Sequence, residues 1–257
     1  MTLTLIGAGI SFDFTLSGVE ALKQCDEVYI EVYTNPIKKQ KIQKLEELIG
    51  KTIVLLERSK VESSFLIEKS KSSNICLISS GDPLTATTHI ILVMEARQKN
   101  IPVKIVHNSS IYSAAPAKVG LQIYRFGKTA SLVNPRPNYN PTSSLEIIRQ
   151  NLKLDMHSLV LLDTEPEPMD AIKALEMLSE FEFVIVVSRL GSNNETIAYG
   201  RIDELKAKNL GTPPFTIIIP AKLHPLEEEF VVLCCITQRR KMVTATHLFS
   251  PIVFQFT

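Results

Sequence analysis

Apolar residues fall into short β-branched runs and into longer stretches with helical spacing along the first 110 residues. Leu16, Val19 and Leu22 stand at helical spacing in the first of these stretches. Because strands that alternate with helices build parallel β-α-β units, this half predicts a parallel sheet with flanking helices. The strand runs are apolar throughout, which is typical of strands covered on both faces. The pattern predicts strands at 2–10, 27–33, 53–57, 74–83 and 102–108, and helices at 15–25 and 87–100.

The pattern changes after about residue 112, where prolines punctuate a stretch with few strong runs, which indicates a linker and then a second domain. The short spacing between residues 183 and 202 allows an antiparallel hairpin, so we expect a mixed sheet there. We therefore predict an α/β protein with one domain over 1–112 and another over 113–257. The prolines are Pro116, Pro135, Pro137 and Pro141; the predicted strands are 129–133, 159–164, 183–191, 196–202 and 215–221; the predicted helices are 143–153, 169–180 and 203–208.

Composition and charge exclude several classes of protein. The chain has 257 residues, 45% apolar and 21% charged, so it can bury a sizeable core. Its formal net charge of +1 lacks the basic excess of a dedicated nucleic-acid binder. No apolar run approaches the roughly 18 residues that a membrane span needs, and the N-terminus does not resemble a signal peptide. We expect a soluble cytoplasmic protein with neither a nucleic-acid nor a membrane partner.

The cysteines support the same compartment. Cys25, Cys76, Cys234 and Cys235 are scattered without C-x-x-C spacing, which argues against a zinc site or a redox motif. We expect free thiols that act as small buried apolar groups in a reducing environment.

Gly7-Ala8-Gly9 ends the first predicted strand, where an open α/β sheet places its ligand crevice. A dinucleotide-binding fingerprint would need a third glycine at the position of Phe12 and an acidic residue after the second strand, a part that Glu31 could play. A tight strand-to-helix turn accounts for the two glycines equally well. The motif alone leaves both interpretations open.

Two further loops follow predicted strands in the same way. Gly81-Asp82-Pro83 presents the acceptor oxygens of Asp82, although these residue types are also common turn formers. The loop His107–Ile111 offers backbone and hydroxyl hydrogen-bonding groups, or is an ordinary loop. Because the carboxyl ends of parallel strands share one edge of a sheet, the loops at Gly9 and Gly81 are expected to open onto the same crevice.

No motif in the chain supplies a nucleophile or an acid–base pair: a G-x-S-x-G elbow, a P-loop and H-E-x-x-H are all missing from the sequence. His89 and His107 are best interpreted as structural, and no third residue stands at metal-ligand spacing, so no metal is predicted.

The run Lys38–Lys44 is typical of a solvated helix face, with an acidic partner as the alternative. The remaining features favour an enzyme that positions an activated cofactor.

The chain carries recognisable segments in order from residue 1 to about residue 231: LTLIGAGI, TLSGVEALKQCDEVYIEVYT, GDPLTATTH, HNSSIYSAAPAKVGLQIYRFG, LVLLD, SRLGS and IIIPAKLHPLEEEF. The combination of GDP-x-x-ATTH with HN-x-S-I and GLQ-x-Y-x-FG is highly specific. In these segments the chain resembles the diphthine synthases, which belong to the tetrapyrrole-methylase-like class of methyltransferases.

This resemblance implies two α/β domains, S-adenosylmethionine in the cleft between them with S-adenosylhomocysteine as product, and a homodimer. It implies methylation of the 3-amino-3-carboxypropyl histidine of translation elongation factor 2 during diphthamide biosynthesis. The amino nitrogen receives three methyl groups, and in eukaryotic members the carboxylate receives another; the number transferred by this chain stays open. No catalytic base is assigned. The positions that match the family's cofactor contacts are Ile10, Asp82, Thr85, Ser110, Ile111, Met169, Tyr199 and His224.

Two segments depart from the family pattern, namely the proline-rich stretch 134–144 and the tail after Val231. Two other functions remain as alternatives. A corrin or porphyrin precursor methylase of the same superfamily would typically continue with glycines after the GDP turn, where this chain has ATTH. A non-catalytic nucleotide-binding module would transfer no methyl group from a labelled cofactor.

Overall fold

The computed structural model describes residues 1–34, 37–135 and 142–235, where ten strands form two five-stranded sheets. Pro137, Pro141 and the tail from residue 236 lie outside the described residues. The first sheet contains β1 (Leu3–Gly7), β2 (Glu27–Glu31), β3 (Ile53–Leu56), β4 (Ile75–Ser79) and β5 (Val103–Val106). The second contains β6 (Ala130–Leu132), β7 (Ser158–Leu162), β8 (Phe183–Ser188), β9 (Thr196–Arg201) and β10 (Phe215–Ile219).

The first sheet has the order β3-β2-β4-β1-β5 and is parallel throughout, as predicted. Successive side chains of a strand point to opposite faces, so the β1 residues Leu5 and Ile6 belong to two different buried clusters. Both faces are therefore covered. The helices are α1 (Leu16–Gln24), α2 (Lys39–Ile49), α3 (Arg58–Val61), α4 (Phe65–Ser70) and α5 (Ile90–Gln98).

The second sheet has the order β6-β7-β10-β8-β9 and is mixed, as predicted. β6 pairs parallel with β7, whereas β7, β10, β8 and β9 pair antiparallel, and β8 and β9 form the expected hairpin. One face packs against Ile148 and Leu175, and the other packs against Ala115 and Val231. The helices are α6 (Ile111–Lys118), α7 (Ser143–Lys153), α8 (Ala171–Met177), α9 (Ile202–Leu205) and α10 (Pro225–Cys235), with a 3-10 turn at Ile123–Arg125.

Some of the sequence-based predictions are wrong in detail. The helix predicted over 15–25 is observed as α1, whose buried residues are Gly18, Ala21 and Leu22, while Leu16 at its start is exposed. β3 is an edge strand that exposes Val54 and Leu55, so its apolar run does not mark a strand covered on both faces.

Pro116 does not mark a linker. It lies inside α6, which packs on the second sheet through the buried Ala115 and Val119. A proline lacks an amide N–H, so α6 forgoes one backbone hydrogen bond, but burial of its apolar face holds the helix together. The helices α3, α4, α6 and α10 had no counterpart among the predicted helices.

Cys25 and Cys76 form a disulfide, which corrects the expectation of free thiols for this pair. Cys25 ends α1 and Cys76 lies in the central strand β4, and their Cα atoms are 6.1 Å apart. Both residues are buried, as expected. The pairing was invisible in the sequence because 51 positions separate the two cysteines and only the packing of α1 on the sheet brings them together.

Across the described residues, no helix is long and apolar enough to cross a membrane.

Candidate functional site

The loops that follow β1 and β4 meet at the carboxyl edge of the first sheet, as predicted. The Gly9 N–H donates to the Gly81 carbonyl oxygen at 3.0 Å, and the Gly81 N–H donates to the Gly9 carbonyl oxygen at 3.1 Å. Both glycines have left-handed backbone, with φ values of 64° and 67°. The positive φ of Gly9 favours a glycine, and a Cβ there would displace the Asp13 carboxylate, whose Oδ1 atom would lie 2.5 Å away.

Asp82 connects the β4 loop with the loop that follows β5. Its Oδ1 accepts hydrogen bonds from the Leu84 N–H at 3.0 Å and the Thr85 hydroxyl at 3.2 Å. Its Oδ2 accepts from His107 Nδ1 at 2.7 Å and from the Asn108 N–H at 3.3 Å. Burial alone would raise the pKa of Asp82, but these hydrogen bonds outweigh it and hold the pKa below its ordinary value. The charged Asp82 carboxylate therefore links the loop after β4 to the loop after β5 through hydrogen bonds.

Asn108, in the loop after β5, connects that loop to the loop after β1. Its side-chain amide donates to the carbonyl oxygens of Gly7 at 3.0 Å and Asp13 at 2.9 Å. The next residue, Ser109, accepts a hydrogen bond from the Ile10 N–H at 3.2 Å. The loops after β1, β4 and β5 are thus held as one rigid unit, which preorganises whatever binds against them.

A cavity of about 380 Å³, which we call the Asp82 cavity, lies between these loops and the second sheet. Five of the residues that the family resemblance selected line it: Ile10, Asp82, Thr85, Ser110 and Ile111. They come from three separate segments of the chain. The second sheet and its loops contribute residues that the sequence did not single out: Ser131, Leu132, Val133, Leu161, Leu162, Asp163, Thr164, Val187, Leu190, Pro214, Phe215 and Thr216. Their strands were predicted, but only the sheet topology shows which strand ends face the cavity. Thr34, Arg58, Ser80, Gly81 and Ala86 complete the lining.

Met169, Tyr199 and His224 lie outside the lining of the Asp82 cavity. Met169 is buried in the core of the second sheet, and Tyr199 stacks on Phe183 with ring centroids 5.9 Å apart. His224 is exposed just before α10. Their part in cofactor binding stays a prediction.

The segment around His224 is held by a buried ionic cluster. Glu227 accepts hydrogen bonds from the His224 N–H at 2.9 Å and the Gln122 N–H at 3.0 Å, and it forms an ion pair with Arg125. The Ala221 N–H donates a hydrogen bond to His157 Nδ1, so the proton of the neutral His157 ring is on Nε2. Nε2 lies 3.3 Å from Glu227 Oε1. This cluster joins GLQIYRFG to AKLHPLEEEF, two of the segments that carry the family resemblance.

His89 is structural, as predicted. Its Nδ1 lies 2.9 Å from the Pro83 carbonyl oxygen, which can only accept, so Nδ1 carries the proton and Nε2 accepts from the Tyr33 hydroxyl at 3.2 Å. Burial lowers the pKa of His89 and keeps the ring neutral. The Glu31 side chain is fully buried and accepts hydrogen bonds from the Thr34 and Ser80 N–H groups. It is therefore not available to bind the ribose of a dinucleotide, the role that the sequence left open for it.

A second cavity of about 470 Å³ adjoins the first and shares Ile10, Ser80, Leu190 and Pro214 with it. We call it the cationic cavity, because its charged lining residues are Lys38, Lys41 and Arg189. Its other lining residues are Gly9, Ser11, Phe12, Ile37, Gly191, Ser192, Asn193 and Asn194. The described part of the chain contains no cluster of three His, Cys, Asp or Glu side chains arranged to hold a metal ion.

Comparisons with known proteins assign the class. Residues 2–206 match the family model of the tetrapyrrole (corrin/porphyrin) methylases. Diphthine synthase of Methanococcus maripaludis strain C5 is 39% identical over 246 residues, which cover 88% of this chain and 96% of that protein. Diphthine synthase of Methanococcus aeolicus is 39% identical over 252 residues, which cover 91% and 98%. A crystal structure of diphthine synthase superimposes with a TM-score of 0.84 at 34% identity, covering 91% of this chain and 96% of that one.

The parallel sheet, the mixed sheet and the loops at the edge of the first sheet agree with the class of methyltransferases that the family model describes. The chain belongs to the tetrapyrrole methylase family and, within it, to the diphthine synthases. It is an S-adenosylmethionine-dependent methyltransferase.

Proposed function

We propose that this chain methylates the amino group of the 3-amino-3-carboxypropyl histidine on translation elongation factor 2, a step of diphthamide biosynthesis. The relatives named diphthine synthase cover nearly the whole chain and support this acceptor. A corrin or porphyrin precursor methylase shares only the superfamily, and the full-length similarity favours the diphthine synthases.

The Asp82 cavity is the proposed site of S-adenosylmethionine. Its volume of about 380 Å³ lies in the ordinary range for small-molecule sites. The hydroxyl groups of Thr85 and Ser110 can hydrogen-bond polar parts of the cofactor, while Ile111, Leu132 and Phe215 offer apolar surface for a base. The one observation that carries the proposal is that Ile10, Asp82, Thr85, Ser110 and Ile111 converge on this cavity from three segments.

The residues of this site act by positioning. The cofactor supplies an electrophilic methyl group on a sulfonium, which is already a good leaving group. The rigid loops held by Asp82 and Asn108 orient the two reactants, and orientation alone can supply much of the rate enhancement. The acceptor amine attacks in its unprotonated form, and an apolar environment such as that of Ile111 and Leu190 lowers the pKa of an amine.

The decisive experiment uses labelled S-adenosylmethionine and elongation factor 2 purified from cells that lack this enzyme. We expect label on the factor that carries the aminocarboxypropyl histidine and none on factor with an unmodified histidine, because imidazole lacks the aliphatic amine. Label on a tetrapyrrole precursor, with none on the factor, would refute the proposal. Calorimetry should show binding of S-adenosylmethionine and S-adenosylhomocysteine but not of NAD.

The remaining proposals concern organisation and place in the cell. We propose domains at 1–112 and 113–257, a homodimer, and a cytoplasmic enzyme without nucleic-acid or membrane partners. Disulfides are rare in the cytosol, so the Cys25–Cys76 bond counts against this compartment. Two free thiols in cells would support a cytoplasmic enzyme, and an intact bond in cells would contradict it.

A further inference from the structure

The cationic cavity adjoins the proposed cofactor site. Ile10, Ser80, Leu190 and Pro214 line both cavities, so the two lie side by side. A methyl transfer requires donor and acceptor to meet in one enclosed space. The cationic cavity is therefore placed where an acceptor would enter.

The positive charge of the cationic cavity favours an anionic ligand. Lys38, Lys41 and Arg189 line the cavity, and no acidic side chain does so among the described residues. The nearby Glu195 is already engaged, since its carboxylate pairs with Lys118 at 2.8 Å and accepts the Gly191 N–H at 2.7 Å. An unopposed group of cations at a cavity wall attracts a carboxylate or a phosphate.

Arg189 is poised for a ligand. Its Nη1 donates to the Pro213 carbonyl oxygen at 3.1 Å, which fixes the guanidinium against the wall. Its Nε is buried and has no hydrogen-bond partner in the part of the chain that the structure describes. A buried N–H without an acceptor costs free energy, so the guanidinium has hydrogen-bonding capacity that the described protein groups do not use.

The lysines reach the cavity from the start of α2. Lys38 is the N-cap residue of α2 and Lys41 lies in its first turn; both line the cavity, whereas Lys44, further along the same helix, does not. The Lys41 ammonium donates to the Ser11 carbonyl oxygen at 2.6 Å, and the Ser11 hydroxyl donates to the Gly191 carbonyl oxygen at 2.8 Å. These contacts join the loops of the two sheets around the cavity.

We propose that the cationic cavity receives the acceptor and that Arg189, with Lys38 and Lys41, binds the acceptor's carboxylate. This inference rests on the proposed function, in which the acceptor carries an amino group and a carboxylate on the same carbon. Holding the carboxylate therefore directs the amino nitrogen towards the Asp82 cavity. Guanidinium suits this task because its planar N–H groups match the two oxygens of a carboxylate.

The test compares Arg189→Gln, Lys38→Gln and the matched control Lys44→Gln, which removes the same charge from α2 outside the cavity. Methyl transfer from labelled S-adenosylmethionine to elongation factor 2 with the aminocarboxypropyl histidine gives kcat and KM, and calorimetry gives the affinity for S-adenosylhomocysteine. We expect Arg189→Gln to lower kcat/KM by about tenfold to a hundredfold, mainly through KM. Lys38→Gln should have a smaller effect in the same direction, Arg189→Lys should restore part of the loss, and Lys44→Gln should match the wild type.

The outcomes separate the two proposals. Unchanged kcat/KM in Arg189→Gln would overturn the carboxylate site while leaving the proposed function intact. A parallel loss of S-adenosylhomocysteine affinity would instead assign the cations to the cofactor, and would also overturn it. Failure of the wild-type enzyme to methylate the factor would refute the proposed function itself.

Discussion

His107 Nδ1 lies 2.7 Å from Asp82 Oδ2, although the two residues are 25 positions apart and follow different strands of the first sheet. The Asp82 carboxylate has both oxygens engaged by protein donors, so it holds the wall of the cavity together as well as lining it. Binding of the cofactor and order of the loops should therefore respond to the same residue.

Asp82→Asn should weaken S-adenosylhomocysteine binding by about tenfold to a hundredfold. An asparagine keeps the shape but has one carbonyl oxygen, so either the donors at Oδ1 or the donors at Oδ2 would face an NH2 group. Calorimetry measures the affinity, and Asp26→Asn, which removes the same charge away from the cavity, is the control. Equal affinity in a folded Asp82→Asn enzyme would locate the cofactor elsewhere.

Gly9→Ala should cost more stability than Gly50→Ala. Both glycines have positive φ, and an alanine in that conformation lowers the free energy of unfolding by about 1–2 kcal/mol. At Gly50 the added Cβ meets no atom within 4 Å, whereas at Gly9 it meets the Asp13 carboxylate at 2.5 Å. Thermal unfolding compares the two variants, and only Gly9→Ala should also reduce S-adenosylhomocysteine affinity. Similar melting temperatures for both would show that the β1 loop adapts freely.

Acid should destabilise the protein in two stages through His157 and Glu227. Burial lowers the pKa of His157, so stability falls as the pH drops below about 6.5, where the unfolded chain takes up the proton first. Burial alone would raise the pKa of Glu227, but hydrogen bonds from Gln122 and His224 lower it. Its contribution is present above about pH 4.5 and is lost as the pH falls further.

His157→Gln should reduce the slope of the first stage, because the glutamine can donate to Glu227 without titrating; His89, whose pKa burial also lowers, still contributes. Melting temperatures measured from pH 7.5 to well below pH 4 cover both stages. An unchanged slope between pH 7 and 5 in this variant would mean that other groups cause the loss.

The Cys25–Cys76 disulfide should stabilise the oxidised protein by roughly 4 kcal/mol, the chain-entropy value for a loop of this length. We expect a reducing agent to lower the melting temperature of the wild type but not of the variant Cys25→Ala/Cys76→Ala. Intact-mass measurement under native redox conditions counts the hydrogens on the thiols. Two free thiols at these positions in freshly purified protein would contradict the bond.

Much of the fold was predictable because buried strands and helices require apolar residues at a characteristic spacing, which can be read locally in the sequence. Every predicted strand corresponds to an observed one, and α7 has the predicted bounds of 143–153. The misses have physical reasons as well. The short helices α3 and α4 and the proline-containing α6 have weak local signals, and packing stabilises them in the folded protein.

The sequence by itself determined the class of sheet, the loops that carry Gly9, Asp82 and Ser110, and the family, because strand periodicity and loop motifs are local properties. The tertiary structure decided which strand ends meet. It paired Asp82 with His107, joined Cys25 to Cys76, and brought Arg189 and Lys41 to the lining of one cavity. These relationships depend on strand order and sheet packing, which bring together residues that are distant along the chain and carry no mutual signal in it.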